Sequence, residues 1–123
     1  MNNKLNHNFF MSRCIEVAKK GIGRTYPNPC VGCIIVNKNA IISEAFSSKC
    51  GGNHAEVNAF NNCIEAPEGS DLYVTLEPCS IYGKTPPCVD RIIENGIKNV
   101  FIGTKDINPD INGDGIEKLK KAH

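Results

Sequence analysis

The chain has 123 residues, of which 41% are hydrophobic and 22% charged, and a formal net charge of +1. This length suits one domain spanning residues 1–123, the near-neutral charge excludes a basic nucleic-acid-binding surface, and no apolar run approaches the roughly 18 residues of a membrane span. The polar N-terminus MNNKLNHNFF also lacks the apolar core of a secretory signal, so we predict a cytoplasmic protein with no membrane or nucleic-acid partner.

The first half of the chain predicts one helix and one hairpin. Apolar residues three or four apart between Phe9 and Lys20 indicate a helix, which Gly21 and Gly23 end. Two β-branched runs, 31–36 and 40–46, flank the turn sequence NKNA and predict an antiparallel hairpin.

The second half alternates helices and strands. Helices are predicted over 55–63, from the Pro86-Pro87 pair to about Asn95, and over 115–122, and strands over 71–76 and 99–102. Strands that alternate with helices after a hairpin favour the α/β class. We therefore predict a three-layer α/β/α sandwich with a mixed sheet.

The chain carries seven cysteines, an odd number, in a sequence without a secretory signal. This usage indicates free thiols and a metal site rather than a disulfide framework. The pair Cys30 and Cys33 does not predict a second metal site, because strand residues three apart face opposite sides. For Cys14, Cys50 and Cys63 we expect packing roles.

One constellation carries chemistry: His54, Glu56, Cys79 and Cys88, in the order H-x-E, P-C, P-C. A catalytic zinc takes three protein ligands and keeps a fourth position for water. His54, Cys79 and Cys88 supply such a set, although ligand type alone does not distinguish Zn²⁺ from iron. The alternative is that the cysteines are small buried residues and that His54 and Glu56 are surface groups.

The local placement of these residues is testable. Helical residues two apart point about 200° apart, so His54 and Glu56 converge only if His54 lies at the N-terminal edge of its helix. Cys79 is expected just beyond a strand and Cys88 in the first turn of a helix. Glu56 is the predicted proton carrier, since a carboxylate beside an activated water can take and return its proton.

Longer motifs identify a family. The order of His54, Glu56, Cys79 and Cys88 resembles the cytidine-deaminase-like superfamily, but eight residues separate the two cysteines where the general signature has two. That spacing narrows the choice within the superfamily. The segments PNPCVGCIIV, HAEVNA, TLEPCSIYGKTPPC and D-x-N-P at 106–109 together resemble the deaminase domain of the bifunctional riboflavin-biosynthesis deaminase-reductases.

The resemblance implies a reaction and a substrate site. It implies hydrolysis of the 2-amino group of 2,5-diamino-6-(5-phosphoribosylamino)pyrimidin-4(3H)-one, with Zn²⁺ as cofactor and Glu56 shuttling protons. By position, Asn28 would hydrogen-bond the pyrimidine and Lys84 would approach the ribose phosphate. Asp106 and Asn108 would border the same pocket. Each could instead have a local turn or loop role.

The chain also departs from the family pattern. Ser47 stands where histidine is common, Gly52 where glutamate is common, and Ile81 where the motif often reads S-H-x-G. We expect Ser47 and Ile81 to remove polar contacts near the pocket. Compared with that family pattern, we expect the chain to lack the reductase domain and the last strand and helix of the deaminase domain. We therefore expect a separate reductase, and a homo-oligomer or reductase partner that covers the open sheet edge.

Two other functions fit part of the pattern. The chain could be another superfamily deaminase, acting on cytosine, cytidine, guanine or a tRNA adenosine; the eight-residue cysteine spacing and the lack of a basic surface disfavour this. It could also be an inactive, zinc-stabilised binding module. A structural zinc normally has four protein ligands, however, and would not require Glu56.

Overall fold

Four strands and three helices are complete in the computed structural model, which describes residues 3–23, 30–48, 52–79, 87–104, 116 and 119–120. In chain order they are α1 (Asn3–Lys19), β1 (Gly32–Asn37), β2 (Ala40–Phe46), α2 (Ala55–Asn61), β3 (Asp71–Val74), α3 (Cys88–Glu94) and β4 (Asn99–Ile102). Within these residues no helix has the length and apolar character needed to cross a membrane.

The strands form one mixed sheet in the order β2-β1-β3-β4. Strand β1 pairs antiparallel with both β2 and β3, whereas β3 and β4 run parallel. The β1–β2 hairpin turns at Lys38 and Asn39, with φ of 52° and 64°. Positive φ at both central residues suits the twist of a two-residue hairpin, and asparagine tolerates it well.

Alternating side chains on β1 divide the core into two layers. Cys33 and Ile35 belong to the cluster that includes α2 and α3 residues, and Ile34 and Val36 belong to the cluster that includes α1 residues. All four are at most 4% exposed, as expected of a central strand covered on both faces. Helices therefore lie on both faces of a mixed sheet, which confirms the predicted three-layer α/β/α sandwich.

Several predicted boundaries differ from the structure. Strand β3 ends at Val74 rather than residue 76, because the chain leaves the ladder at Thr75. Helix α1 begins at Asn3, ahead of the apolar pattern that starts at Phe9. Helix α2 ends at Asn61, and α3 begins at Cys88, after the proline pair. Of the predicted helix over 115–122, the structure describes residues 116, 119 and 120, all helical.

The cysteines outside the metal constellation have packing and hydrogen-bonding roles. The Cys30 thiol donates to the Ala18 carbonyl on the α1 side of the sheet, at 2.6 Å, while Cys33 is fully buried on the other side. This confirms that the two thiols face opposite layers. The Cys14 thiol donates to the Gly32 carbonyl and the Cys63 thiol to the Ala59 carbonyl. Cys50 lies outside the residues that the structure describes.

The closest approach of α1 to the sheet occurs at Gly32. A Cβ atom there would lie 2.3 Å from the Cys14 carbonyl oxygen and 2.9 Å from the Ala18 amide nitrogen. Both are backbone atoms, so the helix would have to move. We expect Gly32→Ala to lower the free energy of unfolding by about 2–3 kcal/mol, measured by urea denaturation.

Gly21→Ala is the matched control for this prediction. Its Cβ would meet side-chain atoms, Cys30 Sγ at 2.7 Å and Phe46 Cδ2 at 2.8 Å, which can rotate away. Its destabilisation should therefore be the smaller of the two. Equal losses for the two variants would contradict the close helix–strand approach at Gly32.

Candidate metal centre

His54, Cys79 and Cys88 meet at one end of the sheet. His54 Nδ1 lies 3.3 Å from Cys88 Sγ and 3.7 Å from Cys79 Sγ, and the ligand atoms of all three lie within 4.8 Å of one another. Cys79 and Cys88 lie 25 and 34 positions after His54 in the sequence, so tertiary folding brings the three residues together. Among the described residues, this is the one His, Cys, Asp and Glu cluster with such spacing.

Local structure places each donor. His54 is the N-cap of α2 with extended backbone, φ −69° and ψ 162°, and makes no side-chain cap bond, so its ring is available to a ligand. Cys79 follows the end of β3, and Cys88 is the first residue of α3. The placement of Cys88 in the first turn of α3 confirms the prediction, whereas Cys79 lies five residues beyond Val74 rather than just past the strand.

Two backbone bonds hold the cysteine segments together. The Cys88 N–H donates to Cys79 Sγ at 3.2 Å, and the Val89 N–H donates to the Cys79 carbonyl at 3.1 Å. A hydrogen bond to sulfur favours the charged form of a thiol. The first turn of α3 therefore positions Cys79 as a thiolate beside Cys88.

The thiols share their protons unequally. A hydrogen bond from the Cys88 side chain, followed by one involving His54, lowers the pKa of Cys79 to about 4. The same pairing, together with burial, raises the pKa of Cys88 far above its ordinary value. The hydrogen bond with Cys79 also raises the pKa of His54. The pairing thus favours the thiolate at Cys79 and the protonated thiol at Cys88.

Glu56 lies beside this cluster and is buried, with 4% of its surface exposed. Burial is the main reason that its pKa is raised to about 7, and the Cys79 thiolate raises it further. Its carboxylate also interacts with the Cys88 side chain. A carboxyl group with a pKa near neutrality can both accept and release a proton, as a general acid–base requires.

The donor set fits zinc. Zinc binds Cys sulfur at about 2.3 Å and His nitrogen at about 2.0–2.1 Å, so tetrahedral donors lie roughly 3.4–3.8 Å apart. The distances of 3.3 Å and 3.7 Å from His54 Nδ1 to the two sulfurs are close to that range. The described cluster has three members, which matches a catalytic rather than a structural zinc site.

A cavity of about 470 Å³ lies elsewhere, at the outer edge of β2. Residues of α1, β2 and α2 line it, including Lys20, Glu44 and Asn58. Its lining contains none of the three clustered residues, among those that the structure describes. Ser47 and Ser48 belong to its lining, so the cavity lies beside the segment that leads to His54.

The predicted substrate-binding residues Asn28, Lys84, Asp106 and Asn108 lie outside the described residues, as does Ile81. Gly52 is exposed. The remaining departure from the family pattern, Ser47, is half-buried, and its hydroxyl is bonded to the backbone of Val31.

Sequence reasoning missed the hydroxyl groups of Ser47 and Thr75. Each residue directly follows a strand, and each bonds the backbone at the start of β1. A serine or threonine just after a buried strand is a weak signal, because many such residues cap local turns. Only the tertiary contacts reveal what these two bond.

The chain matches a known family and several named relatives. Residues 4–104 match the family described as "Cytidine and deoxycytidylate deaminase zinc-binding region". A protein of Buchnera aphidicola from Schizaphis graminum, named diaminohydroxyphosphoribosylamino-pyrimidine deaminase, is 50% identical over 113 residues, which are 92% of this chain and 77% of the relative.

Longer relatives match as well. The riboflavin biosynthesis protein RibD of Actinobacillus pleuropneumoniae is 51% identical over 92% of this chain and 30% of its own length. A crystal structure of the Thermotoga maritima diaminohydroxyphosphoribosylaminopyrimidine deaminase/5-amino-6-(5-phosphoribosylamino)uracil reductase superposes with a TM-score of 0.91 at 48% identity. It covers 98% of this chain, which spans only 35% of that structure.

Proposed function

The chain belongs to the zinc-binding cytidine and deoxycytidylate deaminase family and, within it, to the diaminohydroxyphosphoribosylaminopyrimidine deaminases; on that premise we propose the reaction that it catalyses. It hydrolyses 2,5-diamino-6-(5-phosphoribosylamino)pyrimidin-4(3H)-one to 5-amino-6-(5-phosphoribosylamino)uracil and ammonia, an early step of riboflavin biosynthesis. The observation that carries this proposal is the meeting of His54, Cys79 and Cys88 beside the buried Glu56.

His54, Cys79 and Cys88 are the zinc ligands in this proposal. A zinc ion bound there supplies Lewis-acid activation of a water molecule. The N-cap position of His54 directs its ring toward the two sulfurs, and the Cys88 N–H stabilises the Cys79 thiolate. The residues thus offer one imidazole and two sulfurs without rearranging the fold.

Glu56 moves the protons. Hydrolysis replaces the C2–NH₂ bond with C2=O, so the water must lose two protons while a ring nitrogen and the departing amine are protonated. The Glu56 carboxylate accepts a proton from the attacking water, gives it to the ring nitrogen, and then transfers the second to the amine, which leaves as ammonia. Its burial excludes bulk water from this exchange.

The substrate-binding assignments rest on motif positions. Asn28 hydrogen-bonds the pyrimidine, Lys84 approaches the ribose phosphate, and Asp106 and Asn108 border the pocket. Asn28 precedes the Cys30–Gly32 segment, which enters β1 at the same end of the sheet as Thr75 and the segment leading to Cys79. That placement supports a substrate site facing the metal centre.

Lys84→Ala is expected to raise KM for the phosphorylated substrate about tenfold, because a hydrogen bond to a charged group contributes about 1.5–3 kcal/mol. Steady-state ammonia release would measure this, with Lys98→Ala as the matched control, since Lys98 is an exposed lysine before β4. An unchanged KM, or an equal rise with the dephosphorylated substrate, would remove the phosphate role.

We also propose a domain organisation, a reductase for the following step, and an oligomeric state for this chain. Residues 1–123 form one deaminase domain, and the reduction that follows deamination belongs to a reductase outside these residues. The double name of the Thermotoga maritima relative supports a coupled reductase step. We propose a homo-oligomer, for which sedimentation at micromolar concentration is the test; a stable monomer would contradict it.

Side-by-side assays separate this function from the alternatives. Zinc-loaded protein would be given the phosphoribosylaminopyrimidine, cytidine, dCMP, guanine and a tRNA substrate, and ammonia release would be measured. We expect turnover of the phosphoribosylaminopyrimidine alone. Turnover of another substrate would favour a different deaminase, and zinc binding without turnover would favour an inactive binding module.

A further inference from the structure

Two hydroxyl groups hold the start of β1 from opposite sides. Ser47 is the first residue after β2, and Thr75 is the first residue after β3. The Val31 N–H donates to Ser47 Oγ and the Gly32 N–H donates to Thr75 Oγ1, both at 3.1 Å. Two adjacent backbone donors are therefore bonded by side chains from the two neighbouring strands.

The same exchange occurs on each side. The Ser47 N–H donates to the Val31 carbonyl at 3.0 Å, and the Thr75 N–H donates to the Gly32 carbonyl at 3.1 Å. In a continuing antiparallel ladder, the Val31 and Gly32 N–H groups would donate to main-chain carbonyls of the partner strands. Here each of these N–H groups donates to a side-chain hydroxyl instead. The hydroxyl completes the last ladder pair while the chain turns away from the sheet.

Both departing segments lead to the metal centre. Seven residues after Ser47 the chain reaches His54, and the Ser48 N–H donates to the Asn53 carbonyl just before it, at 3.0 Å. Four residues after Thr75 it reaches Cys79. The two hydroxyls therefore set where these segments leave the sheet, relative to one shared stretch of β1.

The shared stretch cannot easily move. Helix α1 lies against Gly32, where the Cys14 thiol donates to the Gly32 carbonyl at 3.1 Å. Because Val31 and Gly32 are held in place, the two hydroxyl bonds to them can set the distance between the segments that carry His54 and Cys79. Groups that hydrogen-bond metal ligands directly typically affect metal affinity or activity by about 10–100-fold. Ser47 and Thr75 act one step further from the ligands, so we expect an effect at or below the low end of that range.

We propose that Ser47 and Thr75 are positioning residues that align the His54 and Cys79 segments through the backbone of Val31 and Gly32, and so set the zinc affinity. This inference rests on the metal centre proposed above. It also gives Ser47 a role in this chain at a position where the family pattern commonly has histidine.

The test is the zinc dissociation constant, measured by chelator competition on the full chain. Thr75→Val keeps the side-chain shape and removes the hydroxyl, and it should weaken zinc binding several-fold, up to about tenfold. Thr75→Ser should restore near wild-type affinity. Ser47→Ala removes the other hydroxyl independently, and it should also weaken zinc binding. It therefore tests the proposal even if Thr75→Val does not fold.

Ser43→Ala is the matched control. The Ser43 hydroxyl is buried within β2 and donates to the Ala59 carbonyl, away from the strand ends. Its removal should lower the unfolding free energy of the metal-free protein without changing zinc affinity. An equal loss of zinc affinity in Ser43→Ala would reduce the effect to general destabilisation and overturn the inference.

The zinc measurements distinguish a failure of the positioning role from a failure of the proposed metal centre. Wild-type protein that binds zinc while Thr75→Val or Ser47→Ala retains full affinity overturns the positioning role alone. Folded wild-type protein that binds no zinc overturns the proposed metal centre and, with it, this inference. Weakened zinc binding in the hydroxyl variants, rescue by Thr75→Ser and unchanged affinity in Ser43→Ala would together establish it.

Discussion

Replacing Glu56 with glutamine is expected to lower kcat for ammonia release at least about a hundredfold, the lower range for loss of a general acid–base. Glutamine keeps the shape of the side chain but cannot accept and return a proton. Because Glu56 is buried and only 4% exposed, bulk water cannot readily substitute for it. Single-turnover assays with the phosphoribosylaminopyrimidine would measure the loss.

Zinc content and thermal unfolding are the controls for Glu56→Gln. The proposed ligands are His54, Cys79 and Cys88, so the variant should still bind one zinc ion per chain. An uncharged glutamine also removes the cost of burying a carboxylate, so the fold should not lose stability. A folded, zinc-loaded Glu56→Gln protein that retains wild-type kcat would disprove the proton-carrier role.

Replacing Cys79 with serine is expected to reduce zinc content from one ion per chain to a small fraction, and to abolish turnover with it. The hydroxyl of serine does not ionise near neutral pH, so the site loses a thiolate ligand. Cys79 is only partly buried, and the metal-free variant should therefore keep the wild-type fold. Metal analysis after gel filtration would measure the loss.

Cys63→Ser is the matched control for Cys79→Ser. Cys63 is also a partly buried free thiol, but it bonds the Ala59 carbonyl near the end of α2, outside the metal cluster. It should retain one zinc ion and full turnover. Stoichiometric zinc in Cys79→Ser, or equal zinc loss in both variants, would show that Cys79 is not a specific ligand.

The chemistry of the site was readable from the sequence because it depends on residue type and order. His54, Glu56, Cys79 and Cys88 were predicted together, and the structure places all four at one end of the sheet. The N-cap position of His54 was also predicted, since helical geometry allows no other way for it to meet Glu56.

The element types were predictable where the apolar period was clear, and boundaries were less so. Strand β3 is the instructive case, because its predicted run continued through Thr75 to Leu76. The strand ends at Val74 because Thr75 bonds the Gly32 N–H through its hydroxyl. That bond joins residues 43 positions apart, so no local pattern could have predicted it.

By itself the sequence determined the fold class, the family and the members of the candidate metal cluster, because side-chain chemistry and hydrophobic periodicity are local properties. Tertiary structure decided how these groups work together. It buried Glu56 enough to raise its pKa to about 7, paired the Cys79 and Cys88 thiols, and fixed the ends of β2 and β3 on β1. Those properties depend on distances between residues remote in the chain, which only packing of the whole domain sets.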